Sequence, residues 1–410
     1  ALRIRLAPHD GSAVTAGIDR FVFSTAVEAG TPEMARARAL GLERVARPAL
    51  LAEVVNAGQP GVAIAGTSGK STVTGMVGFI LRAAGRPATV LGGAALVGEG
   101  TAGCFAAGPD TAAVVAEACE SDGTLVGYRP GLGLVHNVTR DHHELAALRG
   151  QFETFAGQAR ALLANAACPE AARLARALGA RTYGLGPGAD LPLRVTIATG
   201  DRISGVLRLA SGPLGLDLPH PGIHNLENAA AAAVVAAELG VAPAEIRGAL
   251  ARFPGVARRF EIVGITETGI RVVDDYAHNG AKIGAAIAAA QTGADRVLAV
   301  FQPHGFGPAR FLRPELQELW PRILRPSDRL CYAPIFYAGG TVAQDISSRT
   351  LADDLPPALR CGAAASHAEV VEWLRDEARP RDTVLLMGAR DPDLPRLART
   401  ILAALDTARV

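Results

Sequence analysis

A chain of 410 residues is too long for a single ordinary core and suits two or three domains; 49% hydrophobic and 20% charged residues is a globular balance. The net charge of +1, without any block of like charge, leaves no footprint for nucleic acid or an anionic membrane surface. The longest apolar run, Ala229–Ala237, falls far short of the roughly 18 residues a membrane span needs.

No charged segment followed by an apolar stretch opens the chain, so secretion is not expected. Five cysteines (Cys104, Cys119, Cys168, Cys331 and Cys361) form no CxxC pair, which points to a reducing cytoplasm and away from a structural zinc site. Of 41 basic residues only Lys70 and Lys282 are lysine. A sequence that uses arginine nearly everywhere else and keeps Lys70 inside a glycine-rich loop needs a compact ammonium there.

Arg20-Phe-Val-Phe-Ser-Thr25 is expected as a strand, and Thr31–Gly41 and Ala49–Ala57 as helices, so residues 1–55 form a short α/β piece. From Gly61 apolar strands alternate with helical stretches, the signature of a parallel sheet wrapped by helices. Val62–Ala65 is the first strand, and the helix after the glycine loop runs to about Ala84 with Gly85 as its stop. Ala112–Ala116 and Leu132–Val135 are further buried strands, and Glu227–Leu239 is an alanine-rich helix. Beyond Gly255–Phe260 a second block starts. Its strands are expected at Ile270–Val273, Val297–Phe301 and Val384–Met387, and its helices at Ala281–Ala290, Glu315–Leu324 and His367–Arg375.

Three segments carry chemistry. Gly66-Thr-Ser-Gly-Lys-Ser71 lies between strand and helix, where backbone N–H groups and the helix start cradle a di- or triphosphate and Lys70 reaches the outer phosphates. Ser71 offers a hydroxyl to a phosphate-bound magnesium. The spacing departs from GxxxxGK[ST], because position 64 is Ile. Ala116-Glu-Ala-Cys-Glu-Ser-Asp122 follows a strand directly, so Glu117 or Glu120 stands where ligands bind in open α/β sheets, although an acidic loop alone is more often a solvated turn. His136-Asn-Val-Thr-Arg-Asp-His-His143 also follows a strand, and one of its imidazoles completes a metal site with a glutamate.

Taken together, GTSGKS, EACESD and HNVTRDHHEL resemble the central domain of the Mur ligase family. The match continues through Gly222-Ile-His-Asn-Leu-Glu-Asn228, Arg258-Arg-Phe260, Asp274-Asp-Tyr-Ala-His278 and Phe301-Gln-Pro-His304. It is nearest the UDP-N-acetylmuramate–L-alanine ligases and the muropeptide-recycling ligases. The resemblance implies an α/β, multi-domain Mur ligase architecture. Residues 1–55 form a remnant or incomplete N-terminal substrate (UDP-type) domain, 56–256 a P-loop parallel-sheet ATPase central domain, and 257–410 a Rossmann-like C-terminal domain.

It also implies an ATP- and Mg²⁺-dependent reaction in the cytoplasm. A substrate carboxylate, as in UDP-N-acetylmuramate or a related acid, is joined to an amino acid or peptide through an acyl-phosphate, by a monomer or homodimer. The resemblance places Gly66, Thr67, Ser68, Gly69, Lys70, Ser71 and Thr72 at the phosphates, and makes Ser71, Glu117 and His142 the metal ligands. His224, Asn225 and Asn228 lie near the adenine, although HNxxN by itself reads better as a helix cap. Arg259 reaches the γ-phosphate, unless it is a surface arginine at a domain junction. Asp275 meets the ribose. His278, otherwise a buried structural histidine, contacts the reacting groups.

Three departures qualify the match. The N-terminal pattern joins the family midway, near Asp19–Ala26. Two arginines that clamp the amino acid carboxylate are replaced by Gly305 and Pro308, which leaves His304 with Arg310 or Arg313 at the amine and argues against plain L-alanine. Asn279 and Gly280 replace a histidine and a proline; the absence of any lysine between Lys70 and Lys282, where many Mur ligases carry a carbamylated one, favours the alanine-adding branch. The alternatives are a ligase of a specialised or recycling pathway, and a non-catalytic nucleotide-binding homologue that scaffolds a partner.

Overall fold

The computed structural model describes residues 4–25, 27–99, 104–105 (backbone alone), 111–121, 123–139, 145–186, 188–337, 339 and 342–406. The chain divides into two compact units. One comprises Ala1–Lys70, Pro87–Leu91 and Phe105–Thr182, the other Ser71–Arg86, Gly92–Cys104 and Tyr183–Val410.

In the first unit a parallel sheet runs in the order Ala161–Asn165, Leu132–Val135, Gly61–Ala65, Val114–Ala118, Thr89–Leu91. Gly61–Ala65 and Leu132–Val135 are buried along their whole length, which explains why they read as unbroken apolar runs rather than alternating ones. Val55, Ala63, Ala65, Val135, Phe152 and Phe155 share one core, fed by the helices Arg47–Ala57 and Leu145–Gln158. Ile64 pairs with Glu117 on one side and Leu134 on the other. That register puts Glu117 at the carboxyl end of the sheet, beside the start of the glycine loop. Arg20–Phe23 pairs in parallel with Glu43–Ala46 as a separate two-stranded ribbon.

In the second unit Leu191–Ala198, Ile203–Leu209 and Gly212–Leu218 form an antiparallel meander packed by the helix Ile223–Glu238. A six-stranded sheet follows, in the order Glu261–Ile265, Arg271–Asp275, Thr383–Met387, Val297–Phe301, Arg329–Tyr332, Cys361–Ala363. Its edge strand Glu261–Ile265 is antiparallel and the rest are parallel. Helices Gly280–Gln291 and Phe306–Ile323 supply one core, with Ile283, Ile287, Leu312 and Trp320. Helices His367–Glu377 and Leu394–Asp406 supply the other, with Leu374, Leu397 and Ile401. Two cores divided by one sheet make this a doubly wound α/β layer, the Rossmann-like arrangement expected.

Several boundaries move. The strand expected at Ala112–Ala116 is Val114–Ala118, two residues later. The alanine-rich helix begins at Ile223 rather than Glu227. The helix expected from Glu315 starts at Phe306 and carries Pro314 and Pro321 inside it. Proline disfavours helix interiors, but Ala309, Leu312, Leu316 and Trp320 fall three or four apart and are all buried, and that stripe holds the helix together. Among the described residues no helix is long and apolar enough to cross a membrane.

Gly61 marks a close approach of backbone to backbone, since a Cβ there would collide with the carbonyl oxygen of Val55. Gly61→Ala is therefore expected to lower stability by about 2 kcal/mol or more, read as an earlier midpoint in urea unfolding; an unchanged midpoint would contradict the packing.

Candidate active site

The loop after Gly61–Ala65 turns through glycines, with φ of +154° at Gly66 and +83° at Gly69. A side chain at Gly66 would press on the backbone of Asn137, at 3.2 Å from its nitrogen. Asn137 is the brace of the loop. Its Oδ1 accepts from Thr67 Oγ1 at 2.9 Å and from Ser68 N at 2.8 Å, and its Nδ2 donates to Ser68 O at 3.1 Å. Its carbonyl accepts from Thr67 N at 3.1 Å, and Thr139 N donates to Thr67 Oγ1 at 3.1 Å. The sequence drew attention to the histidines of this segment; the residue that fixes the loop is the asparagine beside His136.

Lys70 donates to Gly66 O at 2.5 Å and to Glu120 Oε2 at 2.8 Å. Burial pushes the ammonium pKa down, but Glu120 foremost, then Cys119 and Glu117, push it up, and the balance holds it above the ordinary lysine value. The lysine stays charged. Glu120 is 2% exposed, so of the two carboxylates it is the one that pairs with the lysine, while Glu117 is half-buried and lies close enough to add to the field. Ser71 and Thr72 follow in the first turn of the helix Lys70–Ala83, both buried. His142 lies outside the described residues. Ser71 and Glu117 are hard oxygen donors of the kind magnesium takes when phosphates and waters fill its other positions.

The second unit brings together Ser71, Arg259, Asp275, His278 and His304. Arg259 Nη2 donates to Ser71 Oγ at 3.3 Å, and its guanidinium lies 4.5 Å over the ring of Tyr276. Asp275 accepts from Phe260 N at 2.6 Å and Ala277 N at 2.7 Å; burial raises its pKa, against the pull of Arg259. The His278 ring makes a 2.8 Å contact from Nδ1 to the carbonyl of Tyr276, so Nδ1 carries the proton. Nε2 is then the acceptor facing Lys282 Nζ at 3.4 Å, and the ring of His304 stands 5.0 Å away. Lys282, unassigned by the sequence, belongs to this cluster.

His224, Asn225 and Asn228 lie in the first turns of the helix Ile223–Glu238. The capping reading of this motif does not hold: Gly222 is the N-cap, with φ of +100°, and Asn225 Nδ2 instead donates back to Pro221 O at 2.7 Å. Burial pushes the His224 imidazole down to about 4, so it is neutral at pH 7. Arg310 and Arg313 have other partners. Arg310 pairs with Asp345 and donates to Ala343 O at 2.9 Å, and Arg313 grips Asp354 with two hydrogen bonds of 2.6 and 2.7 Å.

A strand, a glycine loop with a charged lysine, a helix and a carboxylate at the sheet's carboxyl end define a phosphate-binding α/β protein. Comparison with known proteins narrows this. Residues 64–236 match the Mur ligase middle domain, and residues 258–390 match the Mur ligase glutamate ligase domain. The UDP-N-acetylmuramate–L-alanine ligase of Kineococcus radiotolerans is 36% identical over 389 residues, covering 91% of this chain and 80% of the relative. That of Phenylobacterium zucineum is 35% identical over 406 residues, covering 93% and 82%. The crystal structure of the Thermotoga maritima UDP-N-acetylmuramate–alanine ligase superposes with a TM-score of 0.77 at 22% identity, covering 98% of this chain and 88% of that one, a likeness of fold. The chain belongs to the Mur ligase family, and it is an ATP-dependent ligase that forms C–N bonds.

Asn137→Ala removes three side-chain hydrogen bonds from the loop and is expected to weaken ATP binding by roughly tenfold to a hundredfold in calorimetry; unchanged affinity would contradict the brace. For His224, the unfolded chain binds the extra proton between pH 4 and 6.5. The stability contribution is therefore full above 6.5 and is lost as pH falls toward 4, by at most about 3 kcal/mol. Denaturation at pH 7, 5.5 and 4.5 is expected to show His224→Gln losing less stability on acidification than the parent.

Proposed function

We propose that this ligase couples the carboxylate of UDP-N-acetylmuramate, or of a related muramyl acid, to an amino acid or short peptide in the cytoplasm, as a step of peptidoglycan assembly. The observation that carries the reading is the charged Lys70 held at the mouth of a braced glycine loop. The identity to L-alanine ligases over most of the chain supports the acid substrate. We assign 1–55 to substrate binding, 56–256 to ATP and 257–410 to the ligase domain.

In this reading the loop N–H groups of Gly66–Gly69 and the ammonium of Lys70 hold the outer phosphates of ATP while the acid's carboxylate attacks the γ-phosphorus. Charge neutralisation and positioning are the protein's main contributions to such a transfer. Ser71, Glu117 and His142 would hold magnesium, which supplies charge for the phosphates. Arg259 adds a guanidinium on the Ser71 side, Asp275 meets the ribose, and the neutral His224 with Asn225 and Asn228 lines the base. His278, with Nδ1 tied to the carbonyl of Tyr276 and Nε2 facing Lys282 Nζ, is assigned to contact with the reacting groups.

The amine end differs. With Gly305 and Pro308 at the start of the helix Phe306–Ile323, and Arg310 and Arg313 paired with Asp345 and Asp354, a bidentate arginine clamp for a carboxylate is not supported. L-Alanine is therefore not the amine we favour; a different amino acid or a short peptide is.

Phosphate release from ATP and Mg²⁺, measured with UDP-N-acetylmuramate and a panel of amino acids and peptides, is expected to depend on one acceptor. Lys70→Ala should cut that rate by about a thousandfold. Release that ignores the acid and every member of the panel, or survives Lys70→Ala, would overturn the assignment.

A further inference from the structure

We propose that Arg258 and Asp274 form a positioning pair that aims Arg259 at the phosphate side of the site. The proposal rests on the reading above in which Arg259 meets the nucleotide.

Arg259 sits between two non-glycine residues with positive φ, Arg258 at +59° and Phe260 at +51°. L-residues avoid that region, so such a turn persists only when its surroundings over-determine it. Here they do. Arg258 N donates to Glu261 Oε2 at 2.9 Å and Phe260 N to Asp275 Oδ2 at 2.6 Å. Tyr276 N donates to Arg258 O at 2.8 Å, and Arg259 N to Val256 O at 3.0 Å. Every one of these fixes backbone. None by itself decides where the Arg259 guanidinium goes.

The Arg258 side chain supplies the rest. Its Nη1 donates to Ala389 O at 3.0 Å and its Nη2 to Gly388 O at 2.7 Å, just past the end of the strand Thr383–Met387. Its Nε stands 3.3 Å from a carboxylate oxygen of Asp274, which is 1% exposed on the neighbouring strand Arg271–Asp275. Its guanidinium lies 5.1 Å from the centre of the Tyr276 ring, while that of Arg259 lies 4.5 Å from the same centre. Tyr276 is thus shared by the two arginines, and its place depends on the one that is pinned. Asp274 is held by the same contact: burial pushes its carboxyl up to about 7, with Asp275 and Glu261 adding to the rise, and the Arg258 charge opposes it. The result is a rigid ledge, carbonyls of 388 and 389, Arg258 and Tyr276, across which Arg259 extends to Ser71 Oγ at 3.3 Å. Among the described residues, each Arg258 side-chain nitrogen faces a protein oxygen. Its role is to place its neighbour.

A double-mutant cycle on the full chain tests this, with kcat, KM for ATP and the thermal midpoint measured for each variant. Arg259→Ala is expected to lower kcat by about a hundredfold or more. Arg258→Ala and Asp274→Asn should each lower kcat by roughly tenfold or more while KM for ATP moves less than about threefold. Arg258→Lys keeps the charge beside Asp274 but cannot bridge both carbonyls, so it should fold and still lose kcat. The deciding readout is coupling: in the Arg259→Ala background, the Arg258 and Asp274 changes should cost no further kcat. If they cost the same factor in both backgrounds, the pair does not act through Arg259 and the proposal falls while the reading of Arg259 stands. If Arg259→Ala leaves kcat unchanged, that reading falls, and the positioning role with it.

Discussion

A buried ammonium must be neutralised, and the way Lys70 is neutralised sets most of what surrounds it. Its side chain is 13% exposed and that of Glu120 is 3% exposed, so the pair is largely removed from water. Removing one member of such a pair leaves an uncompensated charge and costs on the order of 3–5 kcal/mol. The glycine loop therefore cannot drift from the Val114–Ala118 strand that carries Glu120 on its following turn. Asn137, at the end of the adjacent strand Leu132–Val135, closes the loop from the other side. Three neighbouring strands thus each contribute one part: the loop, its counter-charge and its brace.

The same logic of paired charge recurs in the six-stranded sheet. Asp274 and Asp275 are consecutive, and successive residues of a strand face opposite sides. Asp275 accepts two backbone N–H groups, one of them from Phe260 just after Arg259, while Asp274 meets the Arg258 side chain. One dipeptide therefore serves both faces of the strand end. Burial raises the pKa of both carboxyls, and the neighbouring arginines oppose that rise.

How much of this could be read from residues alone follows their physics. The strand–turn–helix placement of Gly66–Ser71 was legible because two glycines free to take positive φ follow an unbroken apolar strand. Leu132–Val135 and Val297–Phe301 were placed to the residue because buried parallel strands give unbroken apolar runs. The meander Leu191–Leu218 passed unremarked, although Leu191, Leu193, Leu207, Leu209, Leu214, Leu216 and Leu218 fall inward in alternation. Pro314 hid the first turns of its helix, since a local rule about proline outweighed the apolar stripe. Asn137 went unmarked in a segment with three histidines, because a brace made of side-chain amide to backbone contacts has no spacing signature. Arg258 and Arg259 are adjacent and alike in sequence; only the positive φ values and the partners at 388 and 389 separate the one that positions from the one that reaches.

The central claim is that a carboxylate of the acid substrate, rather than water, receives the γ-phosphoryl group. Labelling that carboxylate of UDP-N-acetylmuramate with ¹⁸O and analysing the released phosphate by mass spectrometry tests it directly. With the accepted amine and ATP present, the account predicts one ¹⁸O atom transferred into each phosphate, left behind when the amine displaces it from the acyl-phosphate. Unlabelled phosphate, with ATP still consumed, would mean that water attacks the nucleotide, and would contradict the account.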